Sequence, residues 1–213
     1  MGLQRSLTEI EPADSISHSQ FRHLLHQTRV PSERLLLHLA QLLHKNLLVN
    51  EQTGGFTFQE FWKDEKKMSA VFETFVRNFY RMEQHRYSVK REHIAWQLEA
   101  SEVDRQFLPR MVTDISLEAI DRKIIIDTKY YAETLQRHFD AQKVHSTHLY
   151  QLFAYLKNQP VDSKRVEGIL LYPVTERSLA LRYVQGPYAI RVETIDLAQP
   201  WQRIHAQLLK LIQ

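Results

Sequence analysis

The segment Lys123-Ile124-Ile125-Ile126-Asp127-Thr128-Lys129 constrains this chain more than any other. Three consecutive isoleucines are β-branched and apolar on both faces of a strand, which calls for a central strand covered on both sides. An acid and a base at the end of such a strand are costly unless they are neutralised or used. Strand side chains alternate, so Asp127 and Lys129 share one face while Ile126 and Thr128 take the other. Upstream, residues 110–118 read as a partner strand, with Asp121 and Arg122 near the turn. Hairpin pairing then brings Asp114 beside Asp127.

Elsewhere the order of elements points to an α/β fold with a mixed β-sheet flanked by helices. A polar leader over residues 1–19 gives way to a helical pattern from Phe21 to Leu48, with a stripe of Leu35, Leu36, Leu39, Leu42 and Leu43 after Pro31 and Ser32. Gly54-Gly55 punctuate the chain before Phe56, Phe58 and Phe61. Met68, Val71, Phe72, Phe75, Val76, Phe79 and Tyr80 recur at helical spacing, predicting an amphipathic helix from near Asp64 into the late eighties. Ile94, Trp96 and Leu98 alternate as a short strand. A helix is expected over 141–157, then a buried strand over 168–173 stopped by Pro173. Strands near 179–184 and 188–195 follow, before a terminal helix from Pro200-Trp201. The expected organisation is a leader and helical segment over 1–60 and a catalytic domain over 61–213.

Two carboxylates brought together repel, and a shared divalent cation offsets that repulsion. Oxygen donors without thiolates favour Mg2+, with Mn2+ as the alternative. The expected ligands are Asp114, Asp127 and the Thr128 carbonyl, with Lys129 placed to position or deprotonate water and to stabilise transition-state charge. The competing reading makes Asp127 and Lys129 a strand-end ion pair and Asp114 an edge residue. Glu73 borders the apolar stripe of the long helix, in line with Ser69 and Arg77, as a further candidate acid. Gln151 and Tyr155 lie four residues apart on one helical face, with His148 near it. They serve either a helix–sheet seam or the positioning of a DNA phosphate beside the lysine. His145 and His148 are spaced as paired zinc ligands are, but no third and fourth ligand accompany them. Tyr130 and Tyr131 read as strand-exit residues, and Trp62, Trp96 and Trp201 as core or interface residues.

The chain has 213 residues and a net charge of +3, compatible with a polyanionic ligand without requiring one. It contains no cysteine, which excludes disulfides, thiolate zinc sites and cysteine catalysis. It shows neither a phosphate-binding glycine loop nor the lysine–hydroxyl signature of nucleotide hydrolases. No stretch is long and apolar enough for a signal peptide or a membrane span, so a cytoplasmic location is expected by elimination. Met1-Gly2 with Ser6 matches an acylation pattern superficially and reads as a polar leader.

The Asp114 … Asp127-Thr128-Lys129 arrangement resembles that of the PD-(D/E)xK nuclease superfamily. The longer text FLPRMVTDISLEAIDRKIIIDTKYY followed by HSTHLYQLFAYLKN is similar to McrC, the nuclease component of the McrBC 5-methylcytosine restriction system. The resemblance extends upstream through FTFQEFWKDEKKMSAVFETFVRNFYR and downstream through GILLYPV, over roughly residues 35–213. It implies a restriction-endonuclease-like core in which Asp114 and Asp127 bind metal and Lys129 is catalytic. Glu73 would be the additional acid, and Gln151 and Tyr155 the Gln-x-x-x-Tyr helix motif of a related branch. The resemblance also implies cleavage of double-stranded DNA carrying modified cytosine, directed by an McrB-like AAA+ GTPase, for antiviral defence. The family's usual N-terminal region, expected to contact the GTPase, is not recognised in this sequence. Cutting both strands requires two active sites or sequential nicking, so a homo-oligomer is an expectation for the assembled enzyme. A standalone DNA-processing or phage-defence nuclease, and a catalytically silent DNA-binding or structural subunit, are the alternatives.

Overall fold

A computed structural model describes residues 17–28, 33, 37, 40, 41, 64–130, 136–138, 141–160, 164–175 and 177–213. The chain divides into two compact units, Met1–Gly54 and Gly55–Gln213. In the first, helix α1 (His18–Gln27) starts at a capping box in which Ser17 and Gln20 satisfy each other's main-chain groups. The sequence reading began this helix later, at Phe21, because it passed over the Ser17-x-x-Gln20 signature. The leucine stripe over 35–43, the Pro31-Ser32 start, the phenylalanines at 56, 58 and 61, and Trp62 lie outside the described residues.

The second unit is a mixed α/β fold built on a six-stranded sheet flanked by helices. Its helices are α2 (Glu65–Glu83), α3 (Glu102–Arg105), α4 (Ser146–Lys157) and α5 (Trp201–Leu211). Its strands are β1 (Ser88–Lys90), β2 (His93–Ile94), β3 (Met111–Val112), β4 (Ile115–Glu118), β5 (Arg122–Thr128), β6 (Gln136–His138), β7 (Ala141–Lys143), β8 (Arg165–Pro173), β9 (Ala180–Gln185) and β10 (Tyr188–Ile195). The sheet order is β1-β4-β5-β8-β10-β9, and β2-β3 and β6-β7 form separate ribbons. β5 pairs antiparallel with β4 and parallel with β8, and β8 pairs parallel with β10. A tight turn at Gly186, in the left-handed region at φ 58°, closes the β9–β10 hairpin.

All seven residues of β5 are buried, as its apolar run requires. Alternation still sorts them between two cores. Ile124 and Ile126 join Ile115, Leu117, Ile169 and Leu171 under α2 and α5. Ile125 joins Leu170, Tyr172 and Val192 under α4, where Leu152 and Leu156 reach the sheet. Each buried isoleucine or leucine contributes about 1.5–3 kcal/mol, which fixes the register of β5 and so the face Asp127 takes. Gly168 on β8 lets α4 approach closely, since a Cβ there would meet Leu152 side-chain atoms at 2.9–3.0 Å.

Four expectations about element bounds are corrected. The long helix ends at Glu83 and not in the late eighties, because the Gln84 amide turns the chain by binding the Tyr80 and Tyr87 carbonyls and the Tyr87 N–H. The strand expected over 110–118 is broken between β3 and β4. At the break the Thr113 N–H bonds the Glu92 carbonyl, and the Thr113 hydroxyl takes the Glu92 N–H and meets Ser116. Of the strand expected over 94–98 only Ile94 is paired, in β2 against β3, while Trp96 donates to the Pro109 carbonyl. The helix expected from 141 begins at Ser146, residues 141–143 being strand β7. Trp201 packs against the core beneath α2 and α5.

Candidate active site

Asp114 occupies the bend between β3 and β4, one residue before the antiparallel ladder that starts at Ile115↔Ile126. Extended by one position, this register places Asp114 opposite Asp127. Its Oδ2 accepts the Thr128 N–H at 2.8 Å and the Thr128 hydroxyl at 3.0 Å. The carboxylate thus takes the place of a strand carbonyl at the end of β5. The N–H and C=O of one strand residue point toward the same neighbour, so the Thr128 carbonyl faces this side of the strand as well.

Asp127 lies on the α4 side of β5 and is fully buried. Its Oδ2 is 2.8 Å from Lys129 Nζ, an ion-pair contact without hydrogen-bond alignment, and its Oδ1 has no hydrogen-bonding partner. Burial pushes its pKa up to about 7; Lys129 opposes the shift, and the charges of Asp114 and Glu73 add to it. Burial draws the Lys129 ammonium the other way, but the charges of Asp127 and Asp114 outweigh it and hold the lysine above its usual value. Lys129 is therefore an ammonium at neutral pH.

A side-chain chain aims this ammonium. Lys129 Nζ donates to Gln151 Oε1 at 2.9 Å, Gln151 Nε2 donates to the Tyr155 hydroxyl at 2.7 Å, and that hydroxyl donates to the Val112 carbonyl at 2.9 Å. Gln151 and Tyr155 share one face of α4, so one helix sets the lysine against β3 and β5 together. The Tyr155 hydroxyl is shifted up, first by burial.

His148 is buried on the same helix, with Nδ1 2.8 Å from the Tyr172 hydroxyl and its ring stacked on His145 at 4.7 Å. Burial, then the Lys129 charge and His145, lower its pKa to about 4, so it is neutral at pH 7. A neutral imidazole is not an electrostatic clamp for phosphate.

Glu73 meets two arginines through its Oε1. It is paired with Arg77 one helical turn on, and Arg91 Nε lies 3.9 Å from it. Arg77 also reaches across from α2 to donate to the Asp114 main-chain carbonyl at 3.4 Å. The helical spacing already aligns Arg77 with Glu73, but it does not disclose this contact with Asp114.

The structure therefore gathers Asp114, Asp127, Thr128, Lys129, Gln151 and Tyr155, with Glu73, paired to Arg77, close enough for its charge to act on Asp127. Among the described residues, no group of three or more His, Cys, Asp or Glu side chains is arranged to hold a metal ion. The donor set of the acidic centre is two carboxylates and a main-chain carbonyl. Such a set suits a hard cation that keeps several waters, as Mg2+ does, and not a closed structural zinc site. The orphaned Oδ1 of Asp127 is the atom that a cation would satisfy. Among the described residues, no helix is long and apolar enough to cross a membrane.

Two comparisons with known proteins bear on this arrangement. The family model described as "McrBC 5-methylcytosine restriction system component" matches residues 2–173. It thus begins well upstream of the resemblance read from the sequence and ends at Pro173. The chain is also 30% identical over 182 residues to the "Type IV methyl-directed restriction enzyme EcoKMcrBC" of Escherichia coli (strain K12). That alignment covers 84% of this chain and 52% of the relative, so the chain spans about half the length of the protein it matches. On the extent of the family match and this identity, the chain belongs to the family of McrBC 5-methylcytosine restriction system components.

Proposed function

We propose that this chain is an McrC-like, metal-dependent endonuclease subunit that hydrolyses DNA phosphodiester bonds on a restriction-endonuclease-like core. One observation carries the reading. A fully buried carboxylate, Asp127, keeps an unpartnered oxygen beside a second carboxylate and an ammonium held by its own relay. A folded protein tolerates that cost where the group is used.

In this reading Asp114, Asp127 and the Thr128 carbonyl hold Mg2+ or Mn2+. The cation supplies Lewis-acid polarisation of the phosphoryl oxygen and a lowered pKa for the attacking water. Asp114 keeps its position through the Thr128 N–H and hydroxyl. Lys129, held protonated by Asp127, places positive charge where the pentavalent phosphorane gains negative charge. Gln151 and Tyr155 fix the lysine's direction, so that it pays little reorganisation cost when the phosphate arrives. Family membership supports double-stranded DNA with modified cytosine as substrate and an McrB-like GTPase as partner. Cutting both strands then calls for two such sites in the assembly or for sequential nicking.

A catalytically silent subunit is the second reading, favoured by the Lys129–Asp127 contact if that pair serves only to neutralise charge. Cleavage of matched methylated and unmethylated plasmids in Mg2+ or Mn2+, with and without a candidate GTPase and GTP, separates the two. We expect cutting that depends on methylation and GTP and is lost in Asp127→Ala and Lys129→Ala. Cutting independent of both would favour a standalone nuclease. A folded, complexed protein that never cuts would favour the silent subunit.

A further inference from the structure

We infer that Arg77 is a positioning residue for Asp114, and that Glu73 acts by aiming Arg77 and not as a metal ligand. The inference rests on the metal-site reading above and changes the assignment of one acid within it.

The bend at Thr113-Asp114 belongs to neither β3 nor β4, so bonds outside the sheet ladder hold it. Thr113 anchors one side of it through Glu92 and Ser116. The Asp114 side chain reaches β5 through Thr128. Arg77 supplies the link to α2, and it does so through the Asp114 carbonyl, leaving the carboxylate for other partners. The guanidinium is mostly buried and forks three ways, to Glu73, to the Thr74 hydroxyl at 3.4 Å and to Asp114. A planar fork with several donors holds such a geometry where a lysine would not.

Glu73 is close enough for its charge to raise the Asp127 carboxyl. Its Oε1 is nevertheless committed to Arg77, with Arg91 Nε 3.9 Å from the same oxygen as a second cation. A cation on Oε2 would leave the Arg77 contact in place but would sit beside the Arg77 and Arg91 charges, which oppose it. A group that orients a ligand from behind typically changes metal affinity or activity about 10–100-fold when removed.

The test uses the full chain with Mn2+ alone as the probe. Calorimetric affinities would be measured for Glu73→Gln, Asp114→Asn, Asp127→Ala, and Arg77→Met in the Glu73→Gln background, where no freed carboxylate masks the effect. Amide exchange at Thr128 reads the position of Asp114 without metal, and amides elsewhere in β5 control for general loosening. We expect Glu73→Gln to stay within about threefold of the parent, and the Arg77→Met combination to bind at least ~10-fold more weakly. Thr128 exchange should quicken in that variant while the rest of β5 is unchanged, and Arg77→Lys should recover part of the loss. A Glu73→Gln defect as large as that of Asp114→Asn would make Glu73 a ligand and overturn the inference. Unaltered Thr128 exchange without Arg77 would overturn it equally. If Asp127→Ala binds Mn2+ as the parent does, the metal-site reading itself falls, and Thr128 exchange alone decides the role of Arg77.

Discussion

Strand β5 carries a buried ion pair at each end, and the two are built to opposite specifications. At its start, Arg122 grips Glu167 of β8 with Nε at 2.9 Å and Nη2 at 3.1 Å, while Nη1 donates to the carbonyls of Ile212 and Gln213. Arg165 reaches the same carboxylate at 2.9 Å. Both Glu167 oxygens are engaged, and the network ties the residues after α5 to the sheet. At its end, Asp127 has one oxygen beside Lys129 and the other without a partner. A pair whose lone pairs are all committed can only hold the fold. A buried carboxylate with an open oxygen is set for something that arrives later.

The sharpest break in that comparison is on activity. Asp127→Asn should keep the shape of the site, lower cleavage by about 10³-fold or more, and leave the metal-free melting temperature equal or higher. Plasmid cleavage and calorimetry on one preparation check both halves. A large loss of stability at Asp127→Asn would put this end of β5 in the same structural class as the other.

Glu167→Ala should do the reverse. It leaves Arg122 buried and partnered only by carbonyls and the Tyr87 hydroxyl, a loss of about 3–5 kcal/mol by analogy with broken buried pairs. Urea denaturation should show a lower midpoint. Mn2+ affinity measured well below that midpoint should be close to the parent's.

The two ends also differed in how far the sequence disclosed them. The Ile124–Ile126 run announces a central strand, and its alternation correctly assigns Asp127 and Lys129 to a shared face. The β4–β5 hairpin and the positions of β9 and β10 follow from local patterning in the same way, while the pairing of β9 with β10 does not. Glu167, on the other hand, precedes Gly168 in what reads as the approach to a strand, and its partners come from Arg122, Arg165 and the far end of the chain. No local period encodes such a meeting. The bend at Asp114 was hidden for a related reason. Thr113 and Ser116 fit a continuous strand pattern, and only the tertiary bonds to Glu92 reveal that the strand breaks there. Gln151 and Tyr155 were legible as a helical pair, but their target, Lys129 and the Val112 carbonyl, was not.

Acid and base should separate the two ends again. The Asp127 carboxyl is raised by burial to about 7, against an ordinary value near 3.8. Between those values the folded state keeps a proton that the unfolded chain has released. This group's contribution to stability is therefore full below about pH 3.8 and is lost as pH rises toward 7. Asp127→Asn should flatten that part of the metal-free stability profile. A cation binds the deprotonated form, so Mn2+ affinity should rise about tenfold per pH unit below 7 and level off above it. An affinity that does not change with pH across this window would remove Asp127 from the ligand set.

The smallest expected effect tests how the active end is assembled. Gly168 sits on β8 where α4 comes closest, and Gly168→Ala drives a methyl group against Leu152. The helix must shift by a few tenths of an ångström or Leu152 must change rotamer, at a cost of about 1–3 kcal/mol. Leu152 is adjacent to Gln151, so the shift falls on the residue that aims Lys129. Glu167 adjoins Gly168 but takes the opposite, α5-side face of β8, and the partners of the Arg122–Glu167 network are not on α4. Gly168→Ala should thus lower kcat with little change in Mn2+ affinity, because Lys129 is displaced while Asp114 and Asp127 are not. If metal affinity falls with kcat, the Asp114 bend leans on α4 through Tyr155 and Val112, and the relay positions the ligands as well as the lysine.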